Sequence, residues 1–575
     1  MVIMKRGVKV LSLLLIITLV PSMFMVPAIA AGSASSSGDK VWTSSWGASG
    51  GDWGFPSPFA FYPRGPGYTM MSFCFDTLIW PDKSGDFTGL LAKSWESSPD
   101  GLTRTFHLRD NVKWHDGTPF TASDVVFTYD YIKDKSAVAP VGAGWYDTSV
   151  IKSITAPDDH TVQIVLTKPY APFISQVAAV IPIVPEHIWK DIAEPAKYTD
   201  KKAAIGTGPF MLDDYSADQQ SYKYSANKDY YLGAPVIDTL IFVKSADVVI
   251  SLKKGDIDEA GLTFDQVQTL NDTSNIKVVG GDGYWVYRLR FNLPNNTILN
   301  NTDVRKAIYY AIDCDDMQSK VLHGGGIAGN PGYVPPYSTW YYPDVAKYAY
   351  DPAKANQILD AAGYDKKDAD GIRLTLDGKR MEFQLLYTSD TQTQRIAELL
   401  QSYLKAVGIG ITFKPGDMKT VDGLVGAGNF EMAIYSHGTS TDPARMLNGF
   451  PASTGWNDTR FNALGKQQVS AMNEKDRKAL VDQMQVLIAD NVPTIPLIYR
   501  NVYTGFNKDR MDGFFFTPGG IGGGVPTEYN KLVFIQGTWN AKSATPSSDA
   551  APFLAGVLAI GAVATAMLAI SRKKV

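Results

Sequence analysis

The chain is poor in the residues from which disulfide frameworks and metal centres are built. Its 575 residues include two cysteines, Cys74 and Cys314, and six histidines. Neither cysteine lies in a CxxC or Cys/His motif, and no two histidines are spaced to meet on one helix face. We therefore expect no zinc site, no preformed metal site and no bound cofactor. The two cysteines form either one disulfide or two buried thiols.

Long basic runs are also missing. The net charge is −4, and Lys and Arg are not concentrated outside the two termini. This argues against a nucleic-acid partner, because such binding needs clustered cations to neutralise phosphates. The glycine-rich stretch at 519–524 is not followed by Lys-Ser/Thr, so it is not a phosphate-binding loop.

One short segment, residues 47–51 around Ser49, fits the G-x-S-x-G pattern of hydrolases. A nucleophile elbow of that kind requires a helix directly after the serine. The residues that follow, DWGFPSP, contain a glycine and two prolines and predict a loop instead. An anchored extracellular hydrolase with Ser49 as its nucleophile stays open as an alternative of another class.

The two ends of the chain predict export and membrane attachment. Residues 1–31 combine early basic residues, an apolar run at 10–26 and the small-x-small pattern Ala28-Ile29-Ala30, which is typical of a secretory signal peptide. Residues 550–570 carry no charge and are long enough to span a bilayer. The basic residues that begin at Arg572 place the C-terminus in the cytosol by the positive-inside rule. We expect the folded body to lie outside the cell, tethered to the cytoplasmic membrane.

Aromatic residues are abundant, with 29 Tyr, 26 Phe and 12 Trp. Large cores account for most of them. The remainder predict a ligand cleft with aromatic walls, because rigid rings supply binding area at low entropic cost.

Residues 91–132 form the most informative segment. A Pro-Asp-Gly turn at 99–101 is followed by alternating polar and apolar residues at 102–108, which predicts a strand. Thr121 precedes Asp124 by three residues, which resembles a capping box and predicts a helix at 123–133. Turn, strand, turn and capped helix within about 40 residues describe a structural module rather than a catalytic one.

This segment, with GTGPF at 206–210, the helix pattern at 303–313 and VPTIPL at 492–497, resembles the family 5 extracellular solute-binding proteins. The resemblance covers roughly residues 41–539. It implies an α/β, two-lobed periplasmic-binding-protein-like fold of the large type, with an extra subdomain in the first lobe and a hinge between the lobes. The C-terminal anchor is similar to that of archaeal members.

The resemblance also implies a function and partners. We expect a monomeric, non-enzymatic receptor that captures a small peptide or similar zwitterion between closing lobes. It would deliver this solute to the permease subunits of an ABC importer, whose cytoplasmic ATPases supply the energy. A receptor for nickel or another metal held by a small chelator stays open. The absence of any histidine after His437 weighs against that alternative without removing it.

The implied domain boundaries divide the chain into nine parts. They are a signal peptide at 1–31, first-lobe segments at 40–67, 201–290 and 501–540, an extra subdomain at 68–200, the second lobe at 291–500, a linker at 541–549, a transmembrane anchor at 550–571 and a cytosolic tail at 572–575. Within the second lobe, apolar spacing predicts helices at 351–363 and 389–408, and strands at 409–413 and 431–435.

Candidate ligand-binding residues lie in three places. Asp442, in an Asp-Pro pair, either binds the ammonium group of a ligand or begins the turn before a helix at 444–447. His437 precedes it at the end of a strand. Arg395, near the start of the helix at 389–408, matches a family position that could bind a ligand carboxylate. The N-terminal stretch supplies the remaining candidates, which are Trp46, Trp53, Tyr62 and Arg64.

Overall fold

A computed structural model of the chain describes residues 39–46, 52–63, 66–135, 146–438, 441–448, 454–522 and 530–540. The predicted signal peptide, Ser49, Arg64 and the predicted membrane anchor lie outside these described residues. Within the described part, no helix has both the length and the apolar character needed to cross a membrane.

An eleven-stranded sheet runs through the protein. Its strands follow the order Gly410–Gly416, Glu382–Thr388, Met432–Gly438, Ile276–Phe291, Thr494–Asn507, Glu259–Leu262, Val41–Ser45, Thr239–Val243, Ser221–Ala226 and Phe210–Ser216, while Gly326–Ala328 pairs with Thr494–Asn507 outside this path.

Two long strands, Ile276–Phe291 and Thr494–Asn507, join the halves of this sheet. They run antiparallel to each other, and the register shifts between Asp282 and Trp285. On the N-terminal side of that bulge the first strand belongs to one half, and beyond it this strand pairs with Met432–Gly438 of the other half. A bulge bends a strand locally, so this is the point at which one half can turn against the other.

Each half contains parallel strands with helices between them, as an α/β fold requires. In the first lobe, Val41–Ser45 is parallel to Thr239–Val243 and to Glu259–Leu262. In the second lobe, Glu382–Thr388 is parallel to its two neighbours in the sheet.

The segment at 91–132 lies in a separate four-stranded sheet. Its strands follow the order Ala92–Ser97, Thr103–Leu108, Thr161–Leu166 and Ile151–Asp158. The predicted strand and helix are confirmed, with the helix at Ala122–Lys135. The predicted capping box forms in one direction, because the Asp124 carboxylate accepts the Thr121 backbone N–H at 3.0 Å. Two strand pairs complete the set: Ile79–Pro81 with Phe87–Gly89, and Met511–Asp512 with Thr538–Trp539.

The predicted second-lobe helices are confirmed as Thr302–Ala311, Pro352–Ala361 and Thr391–Ala406. Gly363 and Gly408 follow two of them with φ of +89° and +81°, a conformation that only glycine adopts without strain. The other α-helices are Gly67–Ser72, Glu186–Trp189, Val248–Lys254, Phe264–Leu270, Cys314–Leu322, Met418–Gly426, Pro443–Asn448, Thr459–Gln468, Glu474–Asn491 and Val533–Gln536. A short π-helix spans Ile174–Ala178, and short 3₁₀ helices span Pro195–Lys197 and Lys201–Ala204.

The GTGPF turn places two glycines against the backbone of the first-lobe core. A Cβ at Gly206 would lie 1.9 Å from the carbonyl oxygen of Cys74, and one at Gly208 would lie 2.4 Å from that of Phe73. Glycine is therefore required for close approach of two chain segments. Cys74 and Cys314 are both free thiols, and burial raises the pKa of each, to about 12 for Cys314.

Candidate functional site

A cleft lies between the carboxyl ends of the parallel strands of the two lobes. In the first lobe these ends are Ser45, Val243 and Leu262, and in the second lobe they are Thr388, Gly416 and Gly438. Ligands of α/β proteins bind outside the carboxyl ends of the strands. The two long strands cross from one lobe to the other and form the base of this cleft.

One face of the base is lined by Trp285 and Arg500. They stand opposite each other in the register, so their side chains share a face. Along the strand Thr494–Asn507, alternate residues place Phe506 on that same face, where it packs on Phe514 in the first-lobe core.

The loop after Phe514 connects this face to the second lobe. A Cβ at Gly281, opposite Val502 in the register, would lie 2.9 Å from the ring of Phe516. Farther along the loop, Gly519 packs against the side chain of Thr441, which a Cβ at that glycine would meet at 2.0 Å. The face that carries Trp285 and Arg500 is therefore the one enclosed by the lobes.

One group of contacts joins the two lobes through Tyr62 and Asp52 of the first lobe. The Tyr62 hydroxyl donates to the Asp422 carboxylate, and Lys419 pairs with Asp52 at 3.2 Å. Tyr215 also donates to Asp52 at 2.5 Å. Burial raises the pKa of Asp52, but the hydrogen bonds from Tyr215, from the Gly54 backbone and from Lys419 outweigh burial and hold that pKa below its ordinary value.

A second group of contacts joins the second lobe to the extra subdomain of the first lobe. The Ala171 backbone N–H donates to the Val469 carbonyl oxygen at 2.7 Å. The Ser175 hydroxyl donates to the Asp442 carboxylate at 3.1 Å. The structure therefore has two separate groups of contacts between the lobes.

Asp442 is held by groups of the protein itself. Arg477 donates to its two oxygens at 2.7 and 3.1 Å, and the Ala444 backbone N–H donates at 2.8 Å. Its side chain is 10% exposed. The turn before the helix Pro443–Asn448 is thus observed, and the binding of a ligand ammonium stays a prediction. No pattern near Asp442 indicated Arg477, which lies on the later helix Glu474–Asn491.

The other candidates are distributed between the cleft and the cores. Trp46 stacks on Phe242 at 5.3 Å between ring centroids, and Trp53 lies 6.4 Å from Tyr62, 7% exposed. Their rings pack on the first-lobe core near the cleft. Whether they contact ligand stays a prediction.

The two second-lobe candidates lie close to the carboxyl ends. Arg395 is half-exposed and pairs with Glu398 at 3.4 Å on its own helix. Its neighbour Gln392, at the helix start, accepts from the Tyr287 hydroxyl at 3.1 Å. His437 lies in the strand Met432–Gly438, where its backbone pairs with Val286, and the described part does not include its side chain. Among the described residues no cluster of three or more His, Cys, Asp or Glu side chains is arranged to hold a metal ion.

Comparison with known proteins shows the family. Residues 86–458 match the model of "Bacterial extracellular solute-binding proteins, family 5 Middle". A Brucella ovis protein named as a peptide-binding protein of an ABC transporter is 30% identical over 534 residues, which cover 89% of this chain and 95% of that protein.

Solved structures of similar proteins confirm the two-lobed fold. The oligopeptide-binding protein AppA of Bacillus subtilis, in complex with a nonapeptide, has a TM-score of 0.76 and 23% identity, covering 88% of this chain and all of that one. NikZ of Campylobacter jejuni, in complex with Ni(L-His), has a TM-score of 0.75 and 24% identity, covering 87% and 99%.

These relatives are named as binding proteins rather than enzymes. Their organisms are bacteria, so the likeness to archaeal members with a C-terminal anchor stays a prediction from the sequence. The match over most of the chain, together with a cleft between two lobes joined by paired strands, leads to one conclusion. The chain belongs to family 5 of the extracellular solute-binding proteins.

Proposed function

We propose that this protein is the receptor of an ABC importer, and that it captures a small peptide or similar zwitterion and delivers it to a membrane permease. The observation that carries the proposal is the cleft itself, with two long strands at its base and two groups of contacts that join the lobes. Such a cleft encloses a solute when the lobes close. The peptide-binding names of its relatives support a peptide as the solute.

The proposal includes the predicted division into lobes. The first lobe comprises residues 40–290 with the extra subdomain at 68–200, and residues 501–540, while the second comprises 291–500. The bulge at Asp282–Trp285 supports a hinge close to the first of these boundaries.

Export and attachment belong to the proposal as well. Residues 1–31 act as the signal peptide, and residues 550–571 hold the mature body on the outer face of the cytoplasmic membrane. The support comes from the sequence: an uncharged stretch followed directly by Arg572 and two lysines. Expression with a C-terminal reporter, followed by protease treatment of intact cells, tests the orientation. Loss of the body with retention of the reporter is expected.

No catalytic step is part of the proposed function. The hydrolase alternative requires Ser49, so Ser49→Ala is expected to leave solute binding unchanged. An esterase or peptidase activity that disappears in this variant would overturn the proposal.

A metal-chelate receptor is the second candidate, favoured by the likeness to NikZ with bound Ni(L-His). Calorimetry on the full chain in detergent separates the two candidates, with a panel of di- to pentapeptides and Ni(L-His) as ligands. Binding of at least one peptide is expected. Binding of Ni(L-His) with no response to any peptide would establish the second candidate instead.

A further inference from the structure

Trp285 and Arg500 form a pair at the base of the cleft whose hydrogen-bond donors lack acceptors in the described part of the chain. The guanidinium carbon of Arg500 lies 5.0 Å from the indole ring centroid of Trp285, so the cation stacks on the ring. Trp285 pairs with Gly438, the carboxyl end of a second-lobe strand. Three residues after Arg500, Tyr503 pairs with Leu262, the carboxyl end of a first-lobe strand. The pair therefore lies between the two edges where a ligand is expected.

Both side chains have a buried donor that lacks an acceptor. The indole Nε1 of Trp285 and the Nε of Arg500 are each buried without a hydrogen-bond partner in the described part of the chain. Buried donors in native proteins are normally satisfied, because a buried donor without an acceptor destabilises the fold. Two such donors side by side in a binding cleft indicate an acceptor that the protein itself does not supply.

The charge of Arg500 is also uncompensated. Among the described residues it forms no ion pair, whereas Arg477 at the cleft edge donates to both oxygens of Asp442. The acidic residue nearest to Arg500 on the adjacent strand, Asp282, stands opposite Asn501 and so points to the other face of the sheet. The face enclosed by the lobes therefore carries a positive charge at its base.

We propose that Arg500 and Trp285 bind the carboxylate of the solute. The Nε–H of the guanidinium and the N–H of the indole donate to carboxylate oxygens, and the ring of Trp285 holds the guanidinium in place by stacking on it. The solute class is thus one with a free carboxylate at the end that enters the cleft first. This inference rests on the proposed receptor function and deepens it.

The proposal differs from the sequence expectation for the carboxylate. The family pattern indicates Arg395, which is half-exposed and pairs with Glu398 on its own helix. Arg500 has the stronger claim because it is partly buried, shares a sheet face with Trp285 and has no carboxylate partner in the described residues.

The test compares a free acid with its amide. The peptide that binds best in a panel of di- to pentapeptides is titrated into the full chain, together with the same peptide carrying a C-terminal amide. Arg500→Gln is expected to weaken binding of the acid by roughly 10- to 100-fold and to change binding of the amide by less than about twofold, because only the acid has the charge. Trp285→Phe, which keeps a ring and removes the N–H, is expected to weaken acid binding by about three- to tenfold. Arg380→Gln is the matched control, since Arg380 is exposed and already pairs with Asp368 and Asp370.

Equal losses for acid and amide in Arg500→Gln, or no loss for either, would overturn the proposal. If the wild-type chain binds no peptide, the proposal that the protein is a peptide receptor fails. A second measurement then tests the carboxylate site by itself. N-acetylglycine, which has a carboxylate and no ammonium group, is titrated while the indole N–H signals are followed by NMR. The indole N–H signal of Trp285 is assigned as the one that disappears in Trp285→Phe. If N-acetylglycine shifts this signal in the wild type and does not shift it in Arg500→Gln, the carboxylate site is supported. If the signal does not move in the wild type, the carboxylate site is refuted.

Discussion

Two buried ion pairs in this protein have similar chemistry and different surroundings. Lys531 and Asp76 lie in the first-lobe core, and both side chains are 0% exposed. Arg477 and Asp442 lie at the edge of the cleft, with exposed fractions of 7% and 10%. The first pair is surrounded entirely by its own lobe, whereas the second also accepts a hydrogen bond from Ser175 across the cleft.

Both members of the core pair, Lys531 and Asp76, also form hydrogen bonds to other groups of the first lobe. Lys531 donates to Asp76 at 2.5 Å and to the Phe75 carbonyl oxygen at 2.8 Å, and it lies 4.4 Å from the ring centroid of Trp80. Asp76 also accepts from Tyr231 at 2.8 Å. Burial lowers the pKa of Lys531, and the Asp76 carboxylate opposes that effect. The Lys531–Asp76 pair therefore stabilises one lobe, whereas the Arg477–Asp442 pair gains a further hydrogen bond when the lobes close.

The largest effect is expected from removal of the core cation. Lys531→Met leaves the Asp76 carboxylate buried without its counter-ion, and this should lower the free energy of unfolding by about 3–5 kcal/mol. Urea unfolding followed by circular dichroism measures the loss. Lys197→Met is the control, because Lys197 forms an exposed pair with Glu194 and should change stability by less than about 0.5 kcal/mol. A loss below about 1 kcal/mol in Lys531→Met would show that the core pair does not fix the lobe.

Removal of the cleft-edge cation should cost less. Arg477→Met leaves Asp442 with the Ala444 N–H, and in the closed form with the Ser175 hydroxyl as well, so we expect a loss of about 2–3 kcal/mol in the free energy of unfolding without peptide. The same urea titration measures it. Bound peptide should reduce the difference in the free energy of unfolding between the variant and the wild type. The reason is that peptide favours the closed form, in which Ser175 still donates to Asp442 in the variant. An identical difference with and without peptide would mean that this pair is as fixed as the core pair.

Asp442 can also be tested as a ligand-binding residue. Asp442→Asn is expected to weaken binding of a peptide and of its N-acetylated form to the same extent, because the carboxylate is already paired with Arg477. A loss confined to the peptide with a free ammonium group would favour direct binding by Asp442.

Acidification is expected to weaken the first lobe through His115. Its Nε2 lies 2.9 Å from the Gly208 carbonyl oxygen, and its Nδ1 accepts the Gly206 N–H at 3.2 Å, so the neutral ring fits this turn. Burial lowers the pKa of His115 below 6.5. The unfolded chain therefore binds more protons between the folded pKa and 6.5, and stability falls as the pH decreases through that range.

Because His115 binds at most one proton, the free energy of unfolding can fall by at most about 1.4 kcal/mol per pH unit. Urea unfolding at pH 7.5 and 5.5 measures it, with His115→Gln expected to lose less stability on acidification than the wild type. His160→Gln is the matched control because His160 is exposed, and it should follow the wild type. A wild-type chain whose pH dependence equals that of His115→Gln would contradict the assignment.

The sequence predicts local structure better than it predicts these pairs. The strand Thr103–Leu108 and the helix Thr391–Ala406 follow from apolar spacing, and Gly408 marks the end of that helix. Such patterns extend over neighbouring residues, where backbone geometry alone decides which side chains meet.

The pairs depend on the order of strands in the sheet instead. Asp76 and Lys531 lie 455 residues apart, and Arg477 reaches Asp442 from a helix 35 residues later. Trp285 meets Arg500 because two strands from distant parts of the chain become neighbours in the sheet. The sequence indicates the N-terminal aromatic stretch, the start of the helix at 389–408 and the Asp442 loop as ligand-binding regions, and none of these patterns identifies Arg477 or Arg500.

The smallest effect is expected at the exposed contact between Lys419 and Asp52. Lys419 pairs with Asp52 across the lobes at 3.2 Å, and its side chain is 56% exposed. An exposed pair contributes about 0.2–1 kcal/mol, and salt screens it. Lys419→Ala should therefore weaken peptide binding by about 1.5- to fivefold at low ionic strength and by less at 0.5 M salt, since only the closed form makes this contact. Calorimetry at both salt concentrations measures the difference, with Lys379→Ala as the control, because Lys379 pairs with Asp377 within one lobe. A loss that is the same at both salt concentrations would show that Lys419 acts through packing on the ring of Tyr62, 5.5 Å away, rather than through its charge.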